Sequence, residues 1–272
     1  MNLLLLRQRA EALLRLHDRS RVLLLANVWD VASALAVEAA GFPAIATASA
    51  GISASLGYRD GERIPRDEML QVVERIARAV RVPVTADLEG GYGDPAGTVE
   101  AALRAGAVGM NLEDSSREEP PLVGIEAQAA RIGAARAAAD RLGVPFVINA
   151  RTDVYFFPGG DERFTETVAR ARAYRSAGAD CIFVPGVRDP ALIGRLAAAI
   201  DAPLNVLAGA GSPDVATLFR LGVARVSTGG SLMRTALTAA RRAAEELRDH
   251  GTFGFAEGII TGAEVDQLLT RE

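Results

Sequence analysis

The chain contains no lysine; all 30 of its basic residues are arginines. Without a lysine, no Schiff base can form on a side-chain amine. That excludes a class I aldolase mechanism and covalently held pyridoxal phosphate. The two histidines, His17 and His250, lie near the two ends in arginine-rich helical stretches, so neither a central histidine base nor a His-rich zinc site is expected. The one cysteine, Cys181, excludes an intrachain disulfide and a multi-cysteine metal site. A net charge of −4 leaves no basic footprint for nucleic acid. The apolar run Leu3-Leu4-Leu5-Leu6 is too short for a signal core or a membrane span, so a soluble cytoplasmic protein is expected. Acid–base chemistry then falls to carboxylates, tyrosine or water on a metal, and oxygen-only ligands favour Mg²⁺ or Mn²⁺.

What is present is a repeat. Short, near-continuous apolar runs at 22–27, 43–49, 83–89, 109–114, 145–152, 181–185, 204–208 and 224–228 read as strands buried on both faces. Helical patterns follow at 31–40, 66–80, 98–105, 126–142, 165–177, 190–200, 213–221 and 231–250. Eight βα units in about 250 residues match one (β/α)₈ TIM-type barrel domain over 1–272. A doubly wound open sheet is the alternative, but the early G-x-G-x-x-G turn is missing. An amphipathic helix at about 2–16 precedes the repeat. An appendage at about 251–272, opening Gly251-Thr252-Phe253-Gly254-Phe255 and ending in a short helix, follows it.

Active sites of such barrels lie at the C-terminal strand ends. The third strand ends Asp87-Leu88-Glu89-Gly90-Gly91, and in a strand the i, i+2 spacing puts both acids on one face. Other ends repeat the pattern: Thr47-Ala48-Ser49, Asn111-Leu112-Glu113, Asn149-Ala150-Arg151 and, within the seventh strand, Asn205. Asp60, Asp87, Glu89 and Glu113 cannot share a small space as four anions, and a divalent cation resolves this. Arg151 suits bidentate capture of a substrate carboxylate, or a structural salt bridge to one of the same acids. Ser49-Ala50-Gly51 reads either as backbone N–H donors for an oxyanion or as an ordinary tight loop. Tyr92 is expected to wall the pocket. Asn205 reads equally as a ligand contact or a structural hydrogen-bonder. Cys181 reads as a small core residue.

These residues, in this order, resemble the isocitrate lyase/phosphoenolpyruvate mutase superfamily. The resemblance rests on Asn27-Val28-Trp29-Asp30, the 49–60 loop, Ala86-Asp87-Leu88-Glu89-Gly90-Gly91-Tyr92-Gly93, Asn111-Leu112-Glu113-Asp114, Asn149-Ala150-Arg151-Thr152-Asp153 and the 253–258 tail. It implies a (β/α)₈ barrel whose extra C-terminal helix is swapped between subunits of a dimer or dimer of dimers. It implies Mg²⁺ (or Mn²⁺) at Asp87, Glu89 and Glu113, with Asp60 nearby and a small carboxylate substrate on Arg151. The implied chemistry makes or breaks a C–C bond, or alternatively a P–C bond, beside a 2-oxo or 2-hydroxy acid through an enolate of pyruvate type. The candidates are then Asp60, Glu113 and Arg151 as catalytic residues, and Ser49, Ala50, Gly51, Tyr92, Arg151 and Asn205 as substrate contacts. The Lys-x-Cys-Gly-His segment of the lyases and the gating loop of the mutases are absent; an acidic segment, Arg117-Glu118-Glu119, stands there as the expected lid. A phosphate-ester enzyme using the glycine turns at 208–212 and 227–231, or a relative that binds without catalysis, are the remaining readings.

Overall fold

The apolar runs pair in chain order. In the computed structural model, which describes residues 2–116 and 119–270, nine short strands form one sheet. They are β1 (Leu23–Leu25), β2 (Asn27–Val28), β3 (Ile45–Thr47), β4 (Val84–Asp87), β5 (Gly109–Glu113), β6 (Val147–Arg151), β7 (Cys181–Val184), β8 (Leu204–Leu207) and β9 (Arg225–Ser227). Their order is β1-β9-β8-β7-β6-β5-β4-β3-β2, and the neighbours run parallel. The two ends of that order, β1 and β2, are halves of one segment broken at Ala26. The first strand thus pairs with the last through one half and with β3 through the other, which closes a TIM-type barrel.

A polar staple holds this seam. Asn27 Nδ2 donates to Thr47 O at 2.8 Å, while Asn27 Oδ1 accepts from the N–H groups of Thr228 at 2.9 Å and Gly229 at 3.1 Å. The break at Ala26 changes pairing partners, and Asn27 supplies bonds that the ladder drops there.

Helices cover the outside, and local chemistry sets their starts. Asp30 caps α2 (Val31–Ala39) in a reciprocal box with Ser33. Asp94, Asp189 and Asp214 cap α5 (Pro95–Ala105), α8 (Pro190–Ala199) and α9 (Val215–Arg220). The Asp94 cap with Pro95 behind it starts α5 three residues before the periodicity does. The remaining barrel helices are α4 (Arg66–Ala79), α6 (Ile125–Arg141), α7 (Glu162–Ser176) and α10 (Ser231–His250). A further short helix, α3 (Ser49–Ser55), stands where the sequence reads as a loop.

The N-terminal helix α1 (Leu3–Arg15) closes the bottom of the barrel with Leu6, Ala10 and Leu13. A Cβ on Gly109, at the start of β5, would meet Leu13 Cδ2 and the Val147 carbonyl oxygen, both at 2.9 Å. Glycine is what lets α1 seat this closely.

The C-terminal part is less embedded. None of the α10 residues is buried, and Leu237, Leu247, Phe253, Ile259 and Ile260 are exposed. The last helix, α11 (Gly262–Leu269), packs Leu268 on the apolar cluster of α2 in its own chain. An exchange of this helix between subunits is not displayed by the single chain. Among the described residues no helix is long and apolar enough to cross a membrane.

Candidate active site

The strand ends of β4, β5 and β6 bring the predicted acids to one rim. Asp87 is the last residue of β4 and pairs with Asn111 of β5, which pairs with Asn149 of β6; two residues on, Glu113 pairs with Arg151. Their side chains form a ladder: Asn149 Nδ2 donates to Asn111 Oδ1 at 2.8 Å, and Asn111 Nδ2 donates to Asp87 Oδ1 at 3.1 Å. Glu89 reaches the same space by another route than expected. β4 stops at Asp87, and Glu89 lies beyond it in the left-handed region at φ +51°. A turn, not the pleat, aims its carboxylate inward. The Glu113 N–H donates to the Glu89 carbonyl at 2.9 Å and fixes that turn to β5.

Glu89, Tyr92 (φ +55°) and Glu62 (φ +51°) are three of the four non-glycine left-handed residues among those described. They hold one another: the Glu62 N–H donates to Glu89 Oε2, and Glu62 Oε1 accepts from the Tyr92 N–H at 2.8 Å. Strain of this kind, of order 1–3 kcal/mol per residue, persists where surrounding contacts over-determine it.

Arg151 is the most fully held charge at the rim. Its Nη1 lies 2.7 Å from Glu113 Oε2, while Nε and Nη2 grip the two carboxylate oxygens of Asp153 at 2.6 and 2.9 Å. Phe156 and Phe183 lie against its guanidinium, with ring centroids at 5.4 and 5.7 Å. The salt-bridge alternative is thus realised, and it leaves one N–H on each terminal nitrogen for an incoming carboxylate. Burial works against the Arg151 charge, but Glu113 and Asp153 outweigh it and hold the group firmly protonated. Burial pushes the Glu113 carboxyl up, against the pull of Arg151.

Asp153 was not singled out by sequence reasoning, although its i+2 offset from Arg151 was in view. Behind it stands a fully buried group, Asp114, which accepts from the Asp153 N–H at 2.9 Å, Tyr174 Oη at 2.7 Å and Arg170 Nη1 at 3.1 Å. Gln128 Nε2 on α6 donates to the Glu113 carbonyl at 3.0 Å, and carried no prior signal.

The residues expected as substrate contacts are engaged within the chain as follows. Ser49 spends both its N–H (3.1 Å) and its hydroxyl (2.7 Å) on Asp87 Oδ2, so it orients an acid instead of offering an open oxyanion donor. Ala50 and Gly51 lie in the first turn of α3, where a Cβ on Gly51 would meet Trp29 Cβ at 2.9 Å. Gly51 therefore serves close packing. Asn205 is fully buried inside the barrel, where Ser227 Oγ donates to it at 3.4 Å. The Tyr92 ring packs on the barrel core. Asp60 lies at the rim beside Ser49 and Asp87; removal from water and then Asp87 raise its carboxyl. Cys181 is fully buried, and burial pushes its thiol up to about 12, so it is not a nucleophile. Of the expected lid, Arg117 and Glu118 lie outside the described residues.

The fit to a cation is carried by Glu89. It is 3% exposed, its Oε1 is buried with no hydrogen-bond partner, and burial followed by Asp87 and Asp60 pushes its carboxyl up to about 8. An orphaned carboxylate oxygen beside other acids is a site for positive charge. Among the described residues no three acid, histidine or cysteine groups form a ready ligand cluster. Of the expected set, Glu113 is in an ion pair with Arg151, and Asp87 and Glu89 stand near it at the same rim. The residues fit a hard ion that takes one or two carboxylates and keeps several waters, as Mg²⁺ does.

Comparison with known proteins places this geometry. The sequence pattern of the phosphoenolpyruvate phosphomutase family matches residues 13–248. An oxaloacetate decarboxylase of Rhodopseudomonas palustris (strain BisB5) is 30% identical over 97% of this chain and 92% of its own length. A Burkholderia cenocepacia J2315 structure, assigned provisionally to the lyases or mutases, superposes with a TM-score of 0.91 at 39% identity, covering 98% of this chain and 97% of the other. A phosphonopyruvate hydrolase solved with oxalate and Mg²⁺ superposes at 0.84 with 27% identity, covering 96% and 94%.

Proposed function

Because the chain belongs to the phosphoenolpyruvate phosphomutase family, within a superfamily of lyases and mutases, we propose that it is a Mg²⁺-dependent lyase. Its substrate is a small 2-oxo or 2-hydroxy carboxylate, cleaved at a C–C bond to leave an enolate of pyruvate type. The observation that carries this reading is the pairing of Glu89, with its unpartnered buried oxygen, and Arg151, locked by Asp153, at one rim.

The remaining N–H groups of Arg151 receive the substrate carboxylate. Asp87, oriented by Ser49 and Asn111, and Glu89 would hold the cation. Mg²⁺ supplies Lewis-acid stabilisation where negative charge develops on the substrate oxygen. In cleavage of a 2-hydroxy acid, the hydroxyl loses a proton as its carbon becomes a carbonyl. The electron pair of the broken C–C bond passes to the departing carbon, is delocalised by the adjoining carbonyl or carboxylate (an enolate of pyruvate type when that carbon lies next to a 2-oxo group), and is quenched by uptake of a proton. Asp60, at the rim and raised toward neutrality, is placed to exchange that proton.

Assays of oxaloacetate, methylisocitrate and phosphonopyruvate with Mg²⁺ and with EDTA test the reading. Turnover of a C–C substrate that EDTA abolishes supports it; turnover indifferent to EDTA sinks it. Turnover of phosphonopyruvate alone would replace it with P–C chemistry.

The partner we assign is a second copy of the chain. The uncovered side chains of α10 and the 253–260 segment support this, as does an open apolar cavity of about 410 Å³ lined by Leu24, Ala26, Val37, Phe42 and Leu232. Sedimentation equilibrium decides it, and a monomer at micromolar concentration would remove it.

A further inference from the structure

The two glycine turns that follow β8 and β9 meet at one cavity. It measures about 610 Å³ and lies between the N-terminal half of α10 and the segments that leave β7 and β8, with Ala208 and Gly209 from one turn and Ser231 from the other in its walls. These segments leave the C-terminal strand ends, so the cavity is at the barrel end that carries Arg151. Phe156, whose ring lies against the Arg151 guanidinium, forms part of its wall. Among the described residues three guanidinium groups line it, Arg188, Arg234 and Arg242, and no acid does. None of the three is in an ion pair with a described residue; Arg234 makes a single side-chain hydrogen bond, Nη2 donating to Ser231 Oγ at 3.3 Å. Arg151 and Arg170, by contrast, are each held by two acids. Asp189, next to Arg188 in the chain, is spent on the start of α8, where it accepts from the Leu192 N–H at 2.8 Å. At about 3.6 residues per turn, Ser231, Arg234 and Arg242 share one side of α10, while Leu237 and Leu247 fall on the other. The side that lines the cavity is thus not the apolar side offered to a second copy.

We propose that this cavity binds a phosphate-type oxyanion on Arg188, Arg234 and Arg242, beside the acidic rim and not in it. Three positive charges around one space without an acid are relieved by an anion, as the rim acids are by a cation. Guanidinium groups whose donors are free suit the several oxygens of a phosphate. α10 also starts on Gly230 with no side-chain cap, and an open helix N-terminus favours the same charge. The volume falls in the range of small-ligand pockets, about 300–1,000 Å³, so the anion is the charged end of a small organic molecule. That end belongs either to the reacting molecule, reaching past Phe156, or to a separate phosphorylated ligand.

The test is isothermal titration of inorganic phosphate, without Mg²⁺, into the full-length chain, its Arg188→Met and Arg242→Met forms, the double form, and Arg104→Met, whose arginine is exposed on α5 outside the cavity. The parent is expected to bind phosphate with a Kd in the millimolar range or tighter. Each single cavity form should weaken it about five-fold and the double form at least about twenty-fold. Arg104→Met removes the same charge and should stay within about two-fold of the parent. Should the double form fail to fold, the single forms carry the same test. Unchanged affinity in the cavity forms overturns the proposal, as does absence of phosphate binding by the parent. Equal weakening by Arg104→Met overturns it, because net charge is then responsible. Loss of phosphate together with a change of oligomeric state in sedimentation also overturns it, because the arginines then serve the interface. No Mg²⁺ enters the titration, so the result is independent of the metal reading. Phosphate added to the turnover assays separates the two sources, and either result keeps the site: a raised KM puts the group on the substrate, an unchanged KM on a separate ligand.

Discussion

The two ends of this barrel bury opposite charges. At the mouth, Asp87, Glu89 and Glu113 outnumber the one guanidinium they share, and one carboxylate oxygen has no partner. At the base, Arg225 and His17 are buried against the end of α1, and among the described residues neither forms an ion pair. The mouth gathers the acids around Arg151, whereas at the base Leu13 of α1 seats directly against Gly109. The polarity of the fold is therefore also a division of labour. Both levels hold buried polar atoms without partners, but only at the mouth is one of them a carboxylate oxygen among other acids.

Substitutions can break that contrast, and the largest effect is expected at the mouth. Asp87→Ala removes the acid on which Ser49 and Asn111 converge, and should abolish Mg²⁺ binding in calorimetry and lower kcat by roughly 10²–10³-fold or more. Normal turnover by this variant would refute the metal role. Asp153→Asn should come next. It loosens the bidentate grip on Arg151 and should lower kcat/KM by roughly 10–100-fold, chiefly through KM, with Mg²⁺ affinity little changed.

At the base the expected effect is on stability. Burial, and then Arg225, depress His17 to about 4, below its ordinary 6.5. Between those values the unfolded chain binds the proton and the folded chain does not. The stabilisation is thus present above about pH 6.5 and lost as pH falls through about 4, up to roughly 3 kcal/mol in all. His17→Gln should flatten the fall in Tm between pH 6.5 and 4 and leave kcat at pH 7.5 within about two-fold. The smallest effect is expected between the two ends, where Cys181→Ser should keep turnover within about three-fold and lower Tm by a few degrees, through an added buried hydroxyl.

The same contrast explains what the sequence disclosed. Strands buried on both faces are written as apolar runs, and α10 was legible to the residue because its periodicity has no competing signal. Glu113 and Arg151 fell where alternation along β5 and β6 puts them. Glu89 was chosen for the wrong reason: its direction comes from a left-handed turn that alternation does not encode. The small residues of α3 read as a loop because serine and glycine favour turns, and packing against Trp29 overrode that preference. Of the two readings of Asn205, its full burial and its bond from Ser227 favour the structural one, and composition alone does not give that depth. The hold of Asp153 on Arg151, and of Gln128 on Glu113, arises between elements, from strand register and helix packing that no local pattern records.

The seam at Asn27 has a consequence for how the molecule comes into being. Its staple joins positions 201 residues apart, Asn27 and Thr228. During synthesis from the N-terminus, the first strand leaves the ribosome long before its last neighbour exists. Until then the growing sheet has two open edges of parallel, apolar strands, the kind of surface on which chains associate wrongly. Truncations that stop short of Thr228 should therefore accumulate as aggregates, and emergence of the segment that carries Thr228 is the event that lets the ring shut.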